Sequence, residues 1–227
     1  MSEARNAILS SIRSSLGRGP LSGNSEAAQR LNASTRNLIP KRAIKPHPEL
    51  VELFIEMAGE QTATIDHISQ YQELPSAVAR YLKERELPFK VAVSKDPQLL
   101  QLAWETSGLE ITAGPASGHE LVSVTPVFAG IAETGTLCVT TGAQRPYTLN
   151  MLPDHHIAVV RTSRIVGAYE DCWDWIKEQY GAGVLPRTVL WITGTSLTGD
   201  IEQTLQRGAH GPRKVHIILM EDGETHD

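Results

Sequence analysis

Apolar residues recur at helical spacing from the first residues of the chain. Ile8, Ile12 and Leu16 lie four apart, with Leu9 beside them, which gives a helix over 2–16 one apolar face. Ser2 suits its N-cap and Glu3 its first turn, and Gly17, Gly19 and Pro20 end it. A lone helix of about four turns is marginal in water, so this one is expected to pack on the domain or on another subunit. Residues 17–48 lose the periodicity and carry Pro40, Pro46 and Pro48. They read as an extended arm with a short helix at 26–31. Arg30, Arg36, Lys41, Arg42 and Lys45 make the arm basic. The domain organisation that follows is an N-terminal helix and arm over 1–48 and an α/β domain over 49–227.

From Glu49 the pattern is regular. Helices are predicted over 49–58, 75–86, 96–105, 169–180 and 199–207. Strands are predicted over 62–65, 89–93, 109–112, 121–124, 127–131, 136–140, 156–160, 189–193 and 215–220. Strands alternating with helices predict a largely parallel sheet covered on both faces. The run of short strands between 109 and 140 breaks that rhythm and predicts a mixed sheet there. No internal repeat is visible.

Composition narrows the function classes. The chain has 227 residues, 41% hydrophobic, enough for a sizeable core. Lys and Arg number 21 against 26 Asp and Glu, a net charge of −5. A mildly acidic chain argues against nucleic acid as the partner. No apolar run reaches the roughly 18 residues of a membrane helix, and residues 1–16 lack a signal-peptide core, so a cytoplasmic protein is expected. Cys138 and Cys172 form no CxxC motif. They exclude a four-cysteine cluster or zinc site within the chain and read as small buried hydrophobes. No cofactor and no metal site is evident. Self-association is left open.

Three loops carry candidate chemistry. In the first, Glu133, Thr134, Gly135 and Thr136 sit between two apolar strands. Gly135 admits backbone angles closed to other residues. Glu133 has the chemistry of a base, a nucleophile or a hydrogen-bond acceptor; a tight turn with a solvated Glu is equally compatible with the composition. In the second, Gly194, Thr195, Ser196, Thr198 and Asp200 link a strand to the helix predicted over 199–207. Free N–H groups at a helix start suit an anion, and ordinary capping explains the same residues. There is no P-loop and no GxGxxG motif. The third is a histidine set: His155, His156, His210 and His216. Strand alternation puts His155 and His156 on opposite faces, which makes them poor ligands for one metal. Arg145, Arg161 and Arg164 suit an acidic substrate or plain solvation.

The ordered set Gly130-Ile-Ala-Glu-Thr-Gly-Thr-Leu137, Met151-Leu-Pro-Asp-His-His-Ile-Ala-Val-Val160, Thr198-Gly-Asp-Ile-Glu202 and Arg207-Gly-Ala-His-Gly-Pro212 resembles the lactate-utilisation protein C family (LutC/YkgG), whose domain is the LUD domain. The opening Ala4-Arg-Asn-Ala-Ile-Leu9 is similar to that family's start. The resemblance covers nearly the whole chain and is weakest over 20–60. His155 stands where an apolar residue is common, and Thr195 and Gly199 stand where Pro and Ala are common. What the resemblance implies is a three-layer α/β/α sandwich of the NagB/RpiA/CoA-transferase-like type. It implies a role in bacterial oxidation of L-lactate to pyruvate, beside two partners that carry iron–sulfur clusters. The chain would be the cluster-free, non-redox component. By analogy with related isomerases and CoA transferases, Glu133 is the catalytic candidate. Thr134, Gly135, Thr136, His156, Gly194, Thr195, Ser196, Thr198, Asp200 and His210 are the candidates for binding a small anionic metabolite.

Two alternatives come from other classes. One is a stand-alone CoA-transferase-, isomerase- or ligase-like enzyme acting on a small anionic metabolite. The other is a non-catalytic assembly module that binds partners through helix 2–16 and the arm. Oxidising lactate unaided would need an electron carrier, and the sequence carries no fingerprint for one.

Overall fold

The structure, a computed structural model, describes residues 3–19, 36, 38–181, 183–199 and 205–222. It divides into two units, Met1–Leu38 and Ile39–Asp227. In the first, α1 (Glu3–Ser15) has no buried residue. Gly17, at φ +61°, ends it, with Gly17 N–H bonded to Ser14 and Arg18 N–H to Arg13. A glycine in the left-handed region closes the last turn in this way. The short helix expected over 26–31 lies outside the described residues.

In the second unit α2 (His47–Glu60) leads to β1 (Thr64–Ile68), α3 (Leu74–Glu84), β2 (Lys90–Val93), α4 (Pro97–Leu100) and β3 (Glu110–Ala113). Then come β4 (Val122–Pro126), β5 (Ala129–Ile131), β6 (Thr136–Thr141), α5 (Thr148–Met151), β7 (His155–Arg161) and β8 (Ile165–Val166). The chain continues through α6 (Tyr169–Tyr180), β9 (Thr188–Ile192), β10 (Leu197–Gly199), β11 (Leu205–Arg207) and β12 (Lys214–Met220). Six strands make an all-parallel sheet in the order β1-β12-β7-β4-β2-β3. The mixed character expected of the short strands is carried by a separate four-stranded sheet, β8-β5-β6-β9.

The central strands of the parallel sheet are buried on both faces, which is why β7 and β12 are nearly continuous apolar runs. Ile157 and Val159 face one core with Val122, Val124 and Ile218, under Leu74, Val78 and Leu82 of α3. Ala158 and Val160 face the other with Val215, Ile217 and Leu219. That second core is closed by Leu53, Phe54 and Ala58 of α2 and by Leu137 and Val139 of the small sheet. The far side of the small sheet packs Ile131 and Cys138 against Cys172 and Ile176 of α6. Both cysteines are free and buried.

Two predicted helices are replaced. Over 96–105 only the single turn α4 forms, followed by a 3-10 turn at Trp104–Ser107. The buried Trp104 indole donates to the Leu99 carbonyl at 2.8 Å, taking the acceptor that a continuing helix would offer to Ala103. At the two ends of the span predicted helical over 199–207 the described residues are strands: β10 and β11 pair antiparallel, with Leu197 opposite Arg207. Thr198 and Gly199 favour helix weakly. Tertiary bonds also hold the ends of the pair: Ser196 N–H donates to Pro212 O at 2.9 Å and Gly208 N–H to Ser196 O at 3.0 Å. Among the described residues no helix starts here to hold an anion.

Strand order locates a crevice. The chain leaves β2 over the α3 face, where Leu99 and Trp104 are buried, and moves outward to β3. It leaves β4 over the opposite face, through the small sheet and α5, and moves inward to β7. The adjacent carboxyl ends of β2 and β4 are thus a topological switch point, where open α/β sheets bind ligands.

Candidate functional site

Three arginines converge on that crevice. Two chain reversals deliver them: the turn after β6 carries Arg145, and the end of β7 with the 3-10 turn Thr162–Arg164 carries the other two. Asp96, in the turn after β2, caps α4 by accepting Gln98 N–H at 3.1 Å. Its other oxygen accepts Arg145 Nη2 at 2.9 Å and Nε at 3.3 Å. Arg145 comes from the turn after β6, closed by paired backbone bonds between Gly142 and Arg145 and fastened to the end of β2 by Lys95 N–H to Gln144 O at 2.9 Å. Arg161 ends β7 and donates to Gln98 Oε1 at 3.0 Å, with Asp222 3.8 Å away. Arg164 donates to Phe128 O at 3.1 Å, with its guanidinium 4.8 Å from the Phe128 ring centre and 4.2 Å from that of Trp175.

These side chains line a cavity of about 220 Å³ whose charged groups are Arg145, Arg161, Arg164 and Asp96. Three guanidinium groups meet the carboxylates of Asp96 and, behind Arg161, Asp222, so the cleft keeps a net positive charge in a net-acidic chain. Burial pulls Arg164 down from its usual value, with nearby cysteines and acids opposing; a guanidinium stays charged regardless. Burial opposes ionisation of Asp222, but hydrogen bonds from Ser163 and Thr162 outweigh it and hold the carboxyl below the usual range. Tyr71 also lines the cavity, and its hydroxyl has no hydrogen-bond partner among the described residues. Burial, then the Asp96 charge, push that phenol up, so it stays neutral. Such a cleft can hold a carboxylate or phosphate through charge-assisted, bidentate bonds.

The other candidates fall into separate groups. Glu133 is 7% exposed, and its carboxylate accepts the Tyr169 N–H at 3.3 Å, in the first turn of α6. Thr134, Thr136, Tyr169 and Thr193 form one hydroxyl cluster, with Thr136 2.8 Å from Thr193. That bond joins the 132–136 loop to the 193–196 loop, and both lie on the end of α2. Gly135, at φ +66°, sits where a Cβ would come within 2.2 Å of Ala58 N; Gly194 sits within 1.9 Å of Gln61 O by the same measure. Thr195 bonds Thr62 at 2.7 Å. Ser196 Oγ accepts from the His210 backbone N–H at 3.3 Å, and His210 is exposed. Thr198 lies in β10 and Asp200 lies outside the described residues.

His155 and His156 do point to opposite faces. His155 bonds Tyr81 Oη at 2.8 Å, and His156 bonds Thr125 Oγ1 at 2.7 Å. Thr125 spends its single proton on Asn150 Oδ1, so His156 donates through Nε2 and its Nδ1 is left without a partner. His156 stands on the parallel sheet among Thr125 and Asn150, apart from the Glu133 loop.

Sequence reading singled out Arg145, Arg161 and Arg164 but missed Asp96, Gln98 and Tyr71. Asp96-Pro97 is a cap followed by a first-turn proline, a signal that a helix starts directly after β2. Arg161 closing an otherwise apolar strand is a second signal. Among the described residues, no helix is long and apolar enough to cross a membrane.

Comparison with known proteins follows the same span. A family model described as the LUD domain matches residues 116–220, which include Glu133 and all three arginines. The lactate utilization protein C of Deinococcus radiodurans is 30% identical over 193 residues, covering 78% of this chain and 86% of the relative. Its counterpart in Bacillus subtilis is 27% identical, covering 82% and 78%. A protein of Escherichia coli named YkgG is 28% identical, covering 75% and 79%. A crystal structure of a DUF162 family protein from D. radiodurans matches with a TM-score of 0.59 at 23% identity, over 78% of this chain and 99% of that one; the two share the fold.

Proposed function

The chain belongs to the lactate utilization protein C family, and on that premise we propose that it is the cluster-free component of an L-lactate utilisation system. It binds an anionic metabolite in the cleft of Arg145, Arg161 and Arg164, while the oxidation of lactate to pyruvate takes place on iron–sulfur partner proteins. The observation that carries the reading is the convergence of three guanidinium groups at the switch point of the parallel sheet. Anchoring explains why these arginines hold a ligand rather than collapse onto each other. Arg145 is braced by Asp96, Arg161 by Gln98 and Arg164 by two aromatic rings. An incoming anion then meets groups already ordered, so less conformational freedom is lost on binding.

Gene deletion tests the role and complementation tests the site. Loss of the gene is expected to abolish growth on L-lactate as sole carbon source. A wild-type copy restores growth, and an Arg145→Ala, Arg161→Ala copy does not. Normal growth of the deletion strain, with no duplicate gene, overturns the role. Full rescue by the double variant overturns the site.

A second reading rests on Glu133, a buried carboxylate that shares Tyr169 with the hydroxyl cluster of Thr134, Thr136 and Thr193. Here Glu133 is a base or nucleophile in a stand-alone transferase, isomerase or ligase, and the 132–136 and 193–196 loops hold the substrate. Purified protein then turns over a small anionic metabolite alone, and Glu133→Gln abolishes turnover without loss of folding. Unchanged turnover in that variant sinks this reading.

A further inference from the structure

The arginine cleft has a neighbour across the bonded pair of Arg161 and Gln98. A second chamber of about 570 Å³ shares Tyr71, Gln98 and Arg161 with it. The walls differ in kind. Arg161 is the single charged residue lining the larger chamber, whose polar lining is otherwise Gln72, Gln98, Gln101 and the hydroxyls of the neighbouring turns. Charge is concentrated at one end, and neutral hydrogen-bonding groups at the other.

The larger chamber owes its shape to the broken helix. A continuous helix over 96–105 would carry Gln101 and Ala103 on opposite sides of its axis; with the break at the Trp104 indole both line the chamber, beside Thr106 of the 3-10 turn. Trp104 is 1% exposed, so that wall is fixed to the core. Gln98 accepts from Arg161, which leaves its amide nitrogen as a donor where the two chambers meet. Amides and hydroxyls satisfy neutral polar groups but cannot compensate a second charge. A volume in the range of about 300–1,000 Å³ holds a ligand far larger than a three-carbon acid.

We infer that the ligand of this cleft is extended: one carboxylate or phosphate in the arginine chamber, carried on an uncharged polyhydroxylated or amide-bearing body that fills the neutral chamber. The inference rests on the anion-binding reading above and deepens it. It also implies that a three-carbon hydroxy acid occupies only the arginine end.

Calorimetric titration of the full chain with two ligand pairs tests it, each pair sharing an anion and differing in the body. Gluconate is expected to bind at least about tenfold tighter than L-lactate, and ribose 5-phosphate at least about tenfold tighter than orthophosphate. Ala103→Phe, which plugs the neutral chamber, abolishes that preference, and Gln101→Ala reduces it severalfold. Equal affinities within both pairs, or a preference untouched by both variants, overturn the inference and leave the anion site standing. If no member of either pair binds, the anion site itself fails. Arg145→Ala, at a residue that lines the arginine chamber and not the neutral one, weakens every ligand and so separates the two cases.

Discussion

Acidification from pH 8 to pH 5 should destabilise the folded chain through two buried histidines. His156 is fully buried and held at about 4 by burial alone. His216 is also held at about 4, first by burial and then by the Arg85 charge, with Asp66 pulling the other way. It bonds Thr64 through Nδ1, stacks on Tyr81 at 4.3 Å and leaves Nε2 without a partner. Both folded-state values lie below the ordinary histidine value of 6.5. The unfolded chain therefore takes up protons that the fold refuses. Stability is complete above pH 6.5 and is lost as pH falls toward 4; below 4 these two groups add no further loss. At pH 5 each histidine costs about 2 kcal/mol, so the pair removes about 4 kcal/mol of a typical 5–15 kcal/mol. Asp66 and Asp222 are held below the usual carboxylate value of 3.8, so they contribute little at pH 5. Urea unfolding followed by tryptophan fluorescence at the two pH values measures the loss. His216→Phe, which keeps the stack on Tyr81, should remove about half of the pH dependence. Equal urea midpoints at pH 8 and pH 5, with equal slopes, would refute the reasoning. So would an unchanged pH dependence in the variant.

Other outcomes follow from the geometry of single residues. Gly135→Ala puts a Cβ 2.2 Å from Ala58 N at φ +66°; overpacking and left-handed strain together should cost about 3 kcal/mol, read as a lowered urea midpoint. Gly59→Ala, in the same helix with no atom within 4 Å of the new Cβ, should be neutral or slightly stabilising by the same assay. Arg145→Ala should weaken anion binding by about 1.5–3 kcal/mol in calorimetry, and an unchanged affinity would remove Arg145 from the site. Trp104→Phe loses the indole bond to Leu99 and should lower stability by about 1–2 kcal/mol, with hydrogen exchange rising first at residues 99–107.

The chain's own pattern determined the local elements. The apolar run of β7 and the 3.6-residue period of α6 are readable without knowing what packs on them, because each depends on neighbours a few positions away. The α/β class followed from their alternation. The loop glycines were legible as well: Gly135 and Gly194 both take the positive φ that only glycine adopts without strain. The antiparallel strands at the ends of the helix expected over 199–207 were not legible, since bonds from Ser196 to Pro212 and Gly208 outweigh a weak local preference. Nor was the break at Trp104, where one side-chain bond removes one helix acceptor. The candidate site lay furthest from local information. Tyr71, Asp96, Arg145 and the pair Arg161 and Arg164 come from four separate connections, and the sequence shows only that each follows or ends an element. Whether they meet depends on which strands are neighbours and over which face each connection crosses. Those are properties of the whole packed sheet, so the residue types came from the sequence, and only the tertiary structure made them one cleft.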